Sequence, residues 1–261
     1  MNEFQAVVER VGALAETYEP PDFAHVPSPD AAIFLCAVDH KAGYQQAHEV
    51  DGAGPFEGSE LMWVVALANS SGALDAPTLA EVGGDRVSEI FRVDGETVAD
   101  PDRRAALWRD LATGLIERYG GEATTVLEAA DGHLGGTGGL LVRLAAFEAY
   151  ADPLAKKAQL FAKICARRGW FEPSDPESWQ VSADSVLMRL ALRSGLVAPG
   201  DLGEVRSATR DAFKRVAAAA SISPPVLDDM LWELGRTDPD LLGTTAGDLQ
   251  EPDRDPAVTW Y

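Results

Sequence analysis

The stretch from Pro101 to Tyr119 constrains the fold more than any other. It opens on proline followed by Asp102, contains no second proline, and stops at Gly120-Gly121. Proline suits the first helical position because the N–H it lacks would go unsatisfied there anyway, and glycine suits the left-handed turn that ends a helix. The segment therefore predicts a helix of about five turns, long enough to run ~28 Å through a helical protein.

Similar punctuation recurs along the chain. Phe4, Val7, Val8, Val11 and Leu14 fall on one helical face, in a segment that must end before Pro20-Pro21. Residues 61–68 read as a buried helix closing near Asn69-Ser70-Ser71-Gly72. Segments 126–130 and 140–150 flank a glycine cluster at 132–139, and Asp152-Pro153 opens a helix toward Arg168. Further helices are expected over 184–196 and 202–220, and from Pro224-Pro225 through Trp232. The run at 32–38 is apolar throughout and fits either a buried strand or a short helix, because it lacks a diagnostic period. Residues 39–58 are polar and Gly-rich, as in a hairpin or loop. The expected fold class is mostly α with a small β-hairpin within residues 31–58. Residues 1–261 suit a single globular domain, or two packed lobes of about 1–100 and 101–261. The acidic, Pro-rich tail after Thr237 ends in Thr259-Trp260-Tyr261, whose rings favour docking over a free end.

Charge narrows the partners. Forty-two acidic residues against twenty-two basic ones give a net charge of −20, which repels nucleic-acid polymers and anionic membranes. Duplex binding draws on clustered Lys and Arg, and no stretch here supplies them, so stable DNA binding is not expected. A small substrate with one phosphate needs only one local cation. Cys36 and Cys165, each within an apolar run, read as buried thiols in a reducing compartment. No run reaches membrane-spanning length and the first residues do not read as a signal peptide, so the expected location is cytoplasmic.

Few clusters have the residue types for chemistry. Lys156 and Lys157 sit in the first turns of a helix, where the dipole disfavours cations, so they are either solvated or matched by an anionic partner. Asp184 occupies an N-cap position, which holds a carboxylate rigid and ionised. Asp39, His40 and His48 are metal-ligand types at unremarkable spacing, and no metal site is expected. The cluster at 132–139 lacks the Lys-Ser/Thr ending of a phosphate-binding loop and reads as a flexible connector. Trp63 and Trp232 lie on apolar helices, as core residues or as stacking platforms.

Several segments together resemble the queuosine salvage proteins. They are Ile90-Phe91-Arg92, the helix ending Glu117-Arg118-Tyr119-Gly120-Gly121, Lys156-Lys157-Ala158-Gln159-Leu160, Ala183-Asp184, and Leu227-Asp228-Asp229-Met230-Leu231-Trp232. The Gly58-Ser59-Glu60-Leu61-Met62-Trp63 segment and the Trp260-Tyr261 end agree as well, in the same order and rough spacing over most of the chain, at low identity. The resemblance implies a fold related to helix-hairpin-helix DNA glycosylases. It also implies a queuosine 5′-phosphate N-glycosidase that releases queuine or a related 7-deazaguanine base without a cofactor, in salvage of a tRNA modification. In that family a motif lysine and a later aspartate face the sugar, which carries over to Lys156 and Asp184. Lys157 stands where the family usually has arginine. The family's aromatic-rich segment ending in a carboxylate is replaced here by Leu35-Cys36-Ala37-Val38-Asp39-His40, with Asp39 at the carboxylate position.

N-glycoside hydrolysis passes through an oxocarbenium-like transition state, so Asp184 is expected to stabilise the developing charge and to orient or deprotonate water, with Lys156 holding it ionised. The expected substrate-binding residues are Asp39, His40, Glu60, Trp63, Lys157, Asp228 and Trp232. Two rivals share these residues. One is a base-excision DNA glycosylase in which Lys156 or Lys157 attacks the sugar as an amine and forms a Schiff base. The other is a nucleotide-binding protein without catalysis.

Overall fold

A computed structural model describes residues 2–255 and 258–260 of the chain. Among the described residues there are twelve α-helices and one two-stranded antiparallel sheet, so the fold is mostly α with a small hairpin. No helix among them is long and apolar enough to cross a membrane. The backbone forms two compact units: residues 23–174 with 259–260, and residues 2–22 with 175–255 and 258. Helix α1 (Glu3–Ala15) opens the second of these.

In the unit of residues 23–174, the ambiguous apolar run is helix α2 (Pro29–Ala37). Local chemistry decides it: Ser28 caps the Ala31 N–H at 3.1 Å and Pro29 takes the first turn. Every residue from Ala31 to Ala37 is buried, which explains why no period was visible. Strands β1 (His48–Val50) and β2 (Ala53–Phe56) form the expected hairpin. Helix α3 (Gly58–Asn69) follows, then the short α4 (Ala76–Leu79) and α5 (Gly84–Ile90). Helix α6 (Pro101–Tyr119) has the predicted bounds and ends on Gly120 at φ 65°. Because α4 and α5 pack on α6, the chain on both sides of residue 100 shares one core, and no break between units falls there.

Helices α7 (Ala123–Ala129) and α8 (Leu140–Leu144) are joined by the glycine cluster. That connector is tightly hydrogen-bonded, with the N–H groups of Leu140 and Leu141 donating to the carbonyls of His133 and Leu134. A Cβ on Gly139 would lie 2.1 Å from the Gly135 oxygen, so the close turn requires glycine. After α8 a 3-10 turn spans Glu148–Tyr150. Helix α9 (Lys156–Arg167) starts four residues later than Asp152-Pro153 suggested. Ala155 adopts a left-handed conformation at φ 54°, and the Asp152 carboxylate reaches forward to the N–H groups of Leu154 and Lys156.

The other unit packs α1 with α10 (Ser185–Arg193), α11 (Leu202–Ala220) and α12 (Pro224–Thr237). Val11, Leu187, Leu190, Phe213, Val216, Leu227 and Leu231 belong to its core. Asp201 and Glu204 close α11 with a reciprocal capping box. At the chain's end Thr259 is buried and Trp260 half-buried, while Tyr261 lies outside the described residues. Both cysteines are buried free thiols whose ionisation burial disfavours.

Candidate active site

A buried helix end leaves carbonyls without intrahelical partners, and these must be satisfied. Toward the C-terminal end of α2, four side chains donate to backbone carbonyls. The Trp108 indole donates to Phe34 O at 2.7 Å, the Tyr150 hydroxyl to Ile33 O at 2.5 Å, the Lys157 amine to Ala37 O at 2.6 Å, and the Arg104 guanidinium to Val38 O. Two of the four are cations at the negative end of a helix dipole, where they are favoured. The anionic partner demanded by the lysines of α9 is therefore in part the end of α2 itself.

The remainder is Asp39. Lys156 Nζ lies 3.2 Å from the Asp39 backbone oxygen and 3.5 Å from Oδ2, with the two side chains only 11% and 9% exposed. Lys157 Nζ also lies 3.2 Å from His40 Nδ1. Burial, and then the charges of Lys157, Arg104 and Lys156, hold the His40 imidazole neutral far below its usual range. Burial and Lys156 likewise push the Lys157 ammonium well below its usual pKa. Where Lys157 donates to Nδ1, the imidazole proton sits on Nε2. His40 Nε2 and Asp39 Oδ1 are both buried without a hydrogen-bond partner. The network thus has two adjacent residues, each with one uncommitted polar atom.

Arg104 is the residue that sequence reasoning passed over. It is fully buried, and besides Val38 it donates to the carbonyls of Ala99, His40 and Lys41, fixing the 38–41 segment that carries Asp39 and His40. Burial pushes its pKa down to about 10, so it remains charged at neutral pH. The signal was present in the helix period: Arg104 is in phase with the buried Trp108, Leu111 and Leu115.

Asp184 belongs to the other unit. It caps α10, accepting from the Leu187 N–H at 3.0 Å. The two residues before it are pinned: Asp228 Oδ1 accepts from Ser182 N at 2.6 Å, and Arg206 Nε donates to Ala183 O at 3.2 Å. Asp184 is thus a rigidly placed, half-buried carboxylate. Trp232 is half-buried with the Arg236 guanidinium 4.7 Å from its ring centre. In the first unit, Glu60 is exposed in the first turn of α3 and Trp63 is buried in the core. His48 contacts Asp94 at 3.0 Å and Glu96 at 3.7 Å, separate partners from those of His40. The structure therefore joins Asp39, His40, Lys156 and Lys157 in one cluster, and Asp184 with Asp228 around one loop. Comparison with protein-family models and with curated protein sequences finds no match to this chain.

Proposed function

We propose that this protein is an N-glycoside hydrolase that releases a 7-deazaguanine-type base, queuine or a relative, from a modified nucleoside 5′-monophosphate. The observation that carries the reading is the pair of uncommitted polar atoms, Asp39 Oδ1 and His40 Nε2, in an otherwise satisfied buried network. Each such atom costs about 1–3 kcal/mol, so adjacent ones persist where a ligand completes them. A carboxylate acceptor beside a neutral imidazole donor suits the amide and amine groups on the edge of such a base. Lys156 fixes the carboxylate from its other oxygen.

In this reading Asp184 stabilises the oxocarbenium-like transition state and orients or deprotonates the attacking water. Its capping bond holds it in place before substrate arrives. The net charge of −20 supports a small substrate over a nucleic-acid polymer, and two free buried thiols go with a reducing cytoplasm. The related reading, a DNA glycosylase with an amine nucleophile, draws on the depressed pKa of Lys157, but that amine is fully enclosed against Ala37 O and His40. Borohydride trapping on damaged duplex DNA separates the two, since only an amine nucleophile leaves a reducible adduct.

The direct test is chromatography of queuosine 5′-monophosphate after incubation with wild type, Asp39→Asn and Asp184→Ala. Release of free queuine by wild type, with loss in both variants, is expected. A folded wild-type protein that releases none refutes the assignment. Ligand-induced thermal stabilisation without release would instead identify a binding protein.

A further inference from the structure

The C-terminal ends of α10 and α12 approach closely because Gly235 has no side chain: a Cβ there would lie 2.6 Å from Leu190 Cδ1. Arg189 and Arg193, one turn apart on α10, and Arg236 in the last turn of α12 line a cavity of about 380 Å³ together with Pro239, Asp248 and Gln250. Three guanidiniums around one cavity stand out in a chain of net charge −20. The volume falls within the ~300–1,000 Å³ typical of small-molecule sites.

Three carboxylates from the segment after α12 face these cations, and their holds are unequal. Asp240 bonds Arg193 through Nε at 2.7 Å and Nη2 at 2.5 Å. Asp248 bonds Arg193 Nη1, yet its side chain is 80% exposed while that of Arg193 is 9% exposed. Its other hold is Gln250 Nε2 at 3.1 Å. Glu251 stands 3.7 Å from Arg189 Nη1, beyond a hydrogen bond, and both Arg189 Nε and Glu251 Oε2 are buried without hydrogen-bond partners. A solvent-facing carboxylate on a buried guanidinium is readily exchanged, because water and salt compete for it. With Asp248 gone, Arg193 keeps its bonds to Asp240 and Arg189 its 3.7 Å contact with Glu251.

We propose that this cavity binds a small phosphate-bearing ligand in exchange with the Asp248 carboxylate. A phosphate carries more charge and more acceptor oxygens than a carboxylate, and guanidinium forks pair with it bidentately. Arg193 gains a stronger partner than Asp248, and the same group supplies the acceptor that Arg189 Nε lacks. The proposal does not rest on the glycosidase reading, since it concerns a different set of residues and needs no turnover.

Titration calorimetry of the full chain with pyrophosphate, against sodium chloride of equal ionic strength, tests it. Asp248→Asn removes the competing charge and is expected to tighten binding several-fold, whereas Arg189→Gln and Arg236→Gln weaken it by about tenfold each. Circular dichroism confirms that the variants fold, and the exposed Asp248 side chain makes its variant the safest readout. Inorganic phosphate and a phosphate monoester, run side by side, distinguish a site for the free ion from a site for an ester. Pyrophosphate that binds neither wild type nor Asp248→Asn above the chloride control overturns the proposal. So does binding that the two arginine variants leave unchanged.

Discussion

Replacing His40 by asparagine isolates one term in the pH dependence of stability. In the folded chain the imidazole is enclosed beside Lys157, Arg104 and Lys156 and stays neutral through the acidic range, whereas in the unfolded chain it takes up a proton below its ordinary pKa of 6.5. The unfolded state then binds the extra proton, so stability must fall as pH falls, by about 1.4 kcal/mol per unit. The contribution is fully present above 6.5 and is lost progressively below it. Two pH units below that point the loss from His40 alone is about 2.7 kcal/mol, a large share of the ~5–15 kcal/mol that holds a domain folded.

Asparagine keeps an oxygen that can accept from Lys157 and does not titrate. Lys157 also has a depressed pKa, but its uptake in the unfolded chain begins near 10.5, and it is present in both proteins. Urea denaturation at several pH values between 6.5 and about 4.5, at constant ionic strength, gives the two slopes. Wild type is expected to lose about 2.3 kcal/mol more than His40→Asn across that window, since half of the unfolded chains already carry the proton at pH 6.5. Parallel profiles would refute the claim that the folded chain keeps His40 neutral.

Three further outcomes follow from the same geometry. Arg104→Met strips the donor from the carbonyls of Val38, Ala99, His40 and Lys41 in the core and should cost about 3–5 kcal/mol by chemical denaturation; a loss under about 1 kcal/mol would deny the clamp its role. Asp184→Asn preserves the N-cap, since asparagine caps as well as aspartate, so stability should move by only a few tenths of a kcal/mol while base release disappears. Retained release in that variant would remove Asp184 from the chemistry. Gly235→Ala forces a methyl against Leu190 and Val186 and should destabilise by about 1–3 kcal/mol, read as a lowered melting temperature, whereas an unchanged one would show that the helices are free to part.

What the sequence disclosed divides by range. The bounds of α6 and α11 were legible because proline, glycine and a capping box act within a few residues of where they stand. Helix α2 was not, because a helix buried on every side has no polar face to set a period. The start of α9 was misplaced because Asp152 caps through its side chain while the backbone turns through Ala155 before the helix begins. The lysines of that helix were visible as an anomaly against its dipole, but Asp39 lies 117 residues from Lys156, and nothing local joins them. Arg104 could have been caught, because it interrupts an apolar stripe with a charge that a core accepts only when paired.

Two accounts compete for the polar cluster, and they divide at the level of single atoms. Closing the end of α2 accounts fully for Lys157 on Ala37 O and for Arg104 on Val38 O, and a protein without any ligand would keep both. It does not account for Asp39, whose carboxylate caps nothing and whose Oδ1 has no partner, nor for the uncommitted Nε2 of His40. A purely structural core gains by removing such atoms, because an apolar or amide side chain of similar volume avoids their desolvation cost. Retaining them side by side on a segment that Arg104 holds rigid is what the proposed recognition site requires. The lysines and the arginine therefore belong to the fold first, and the functional claim rests on the carboxylate and the imidazole they position.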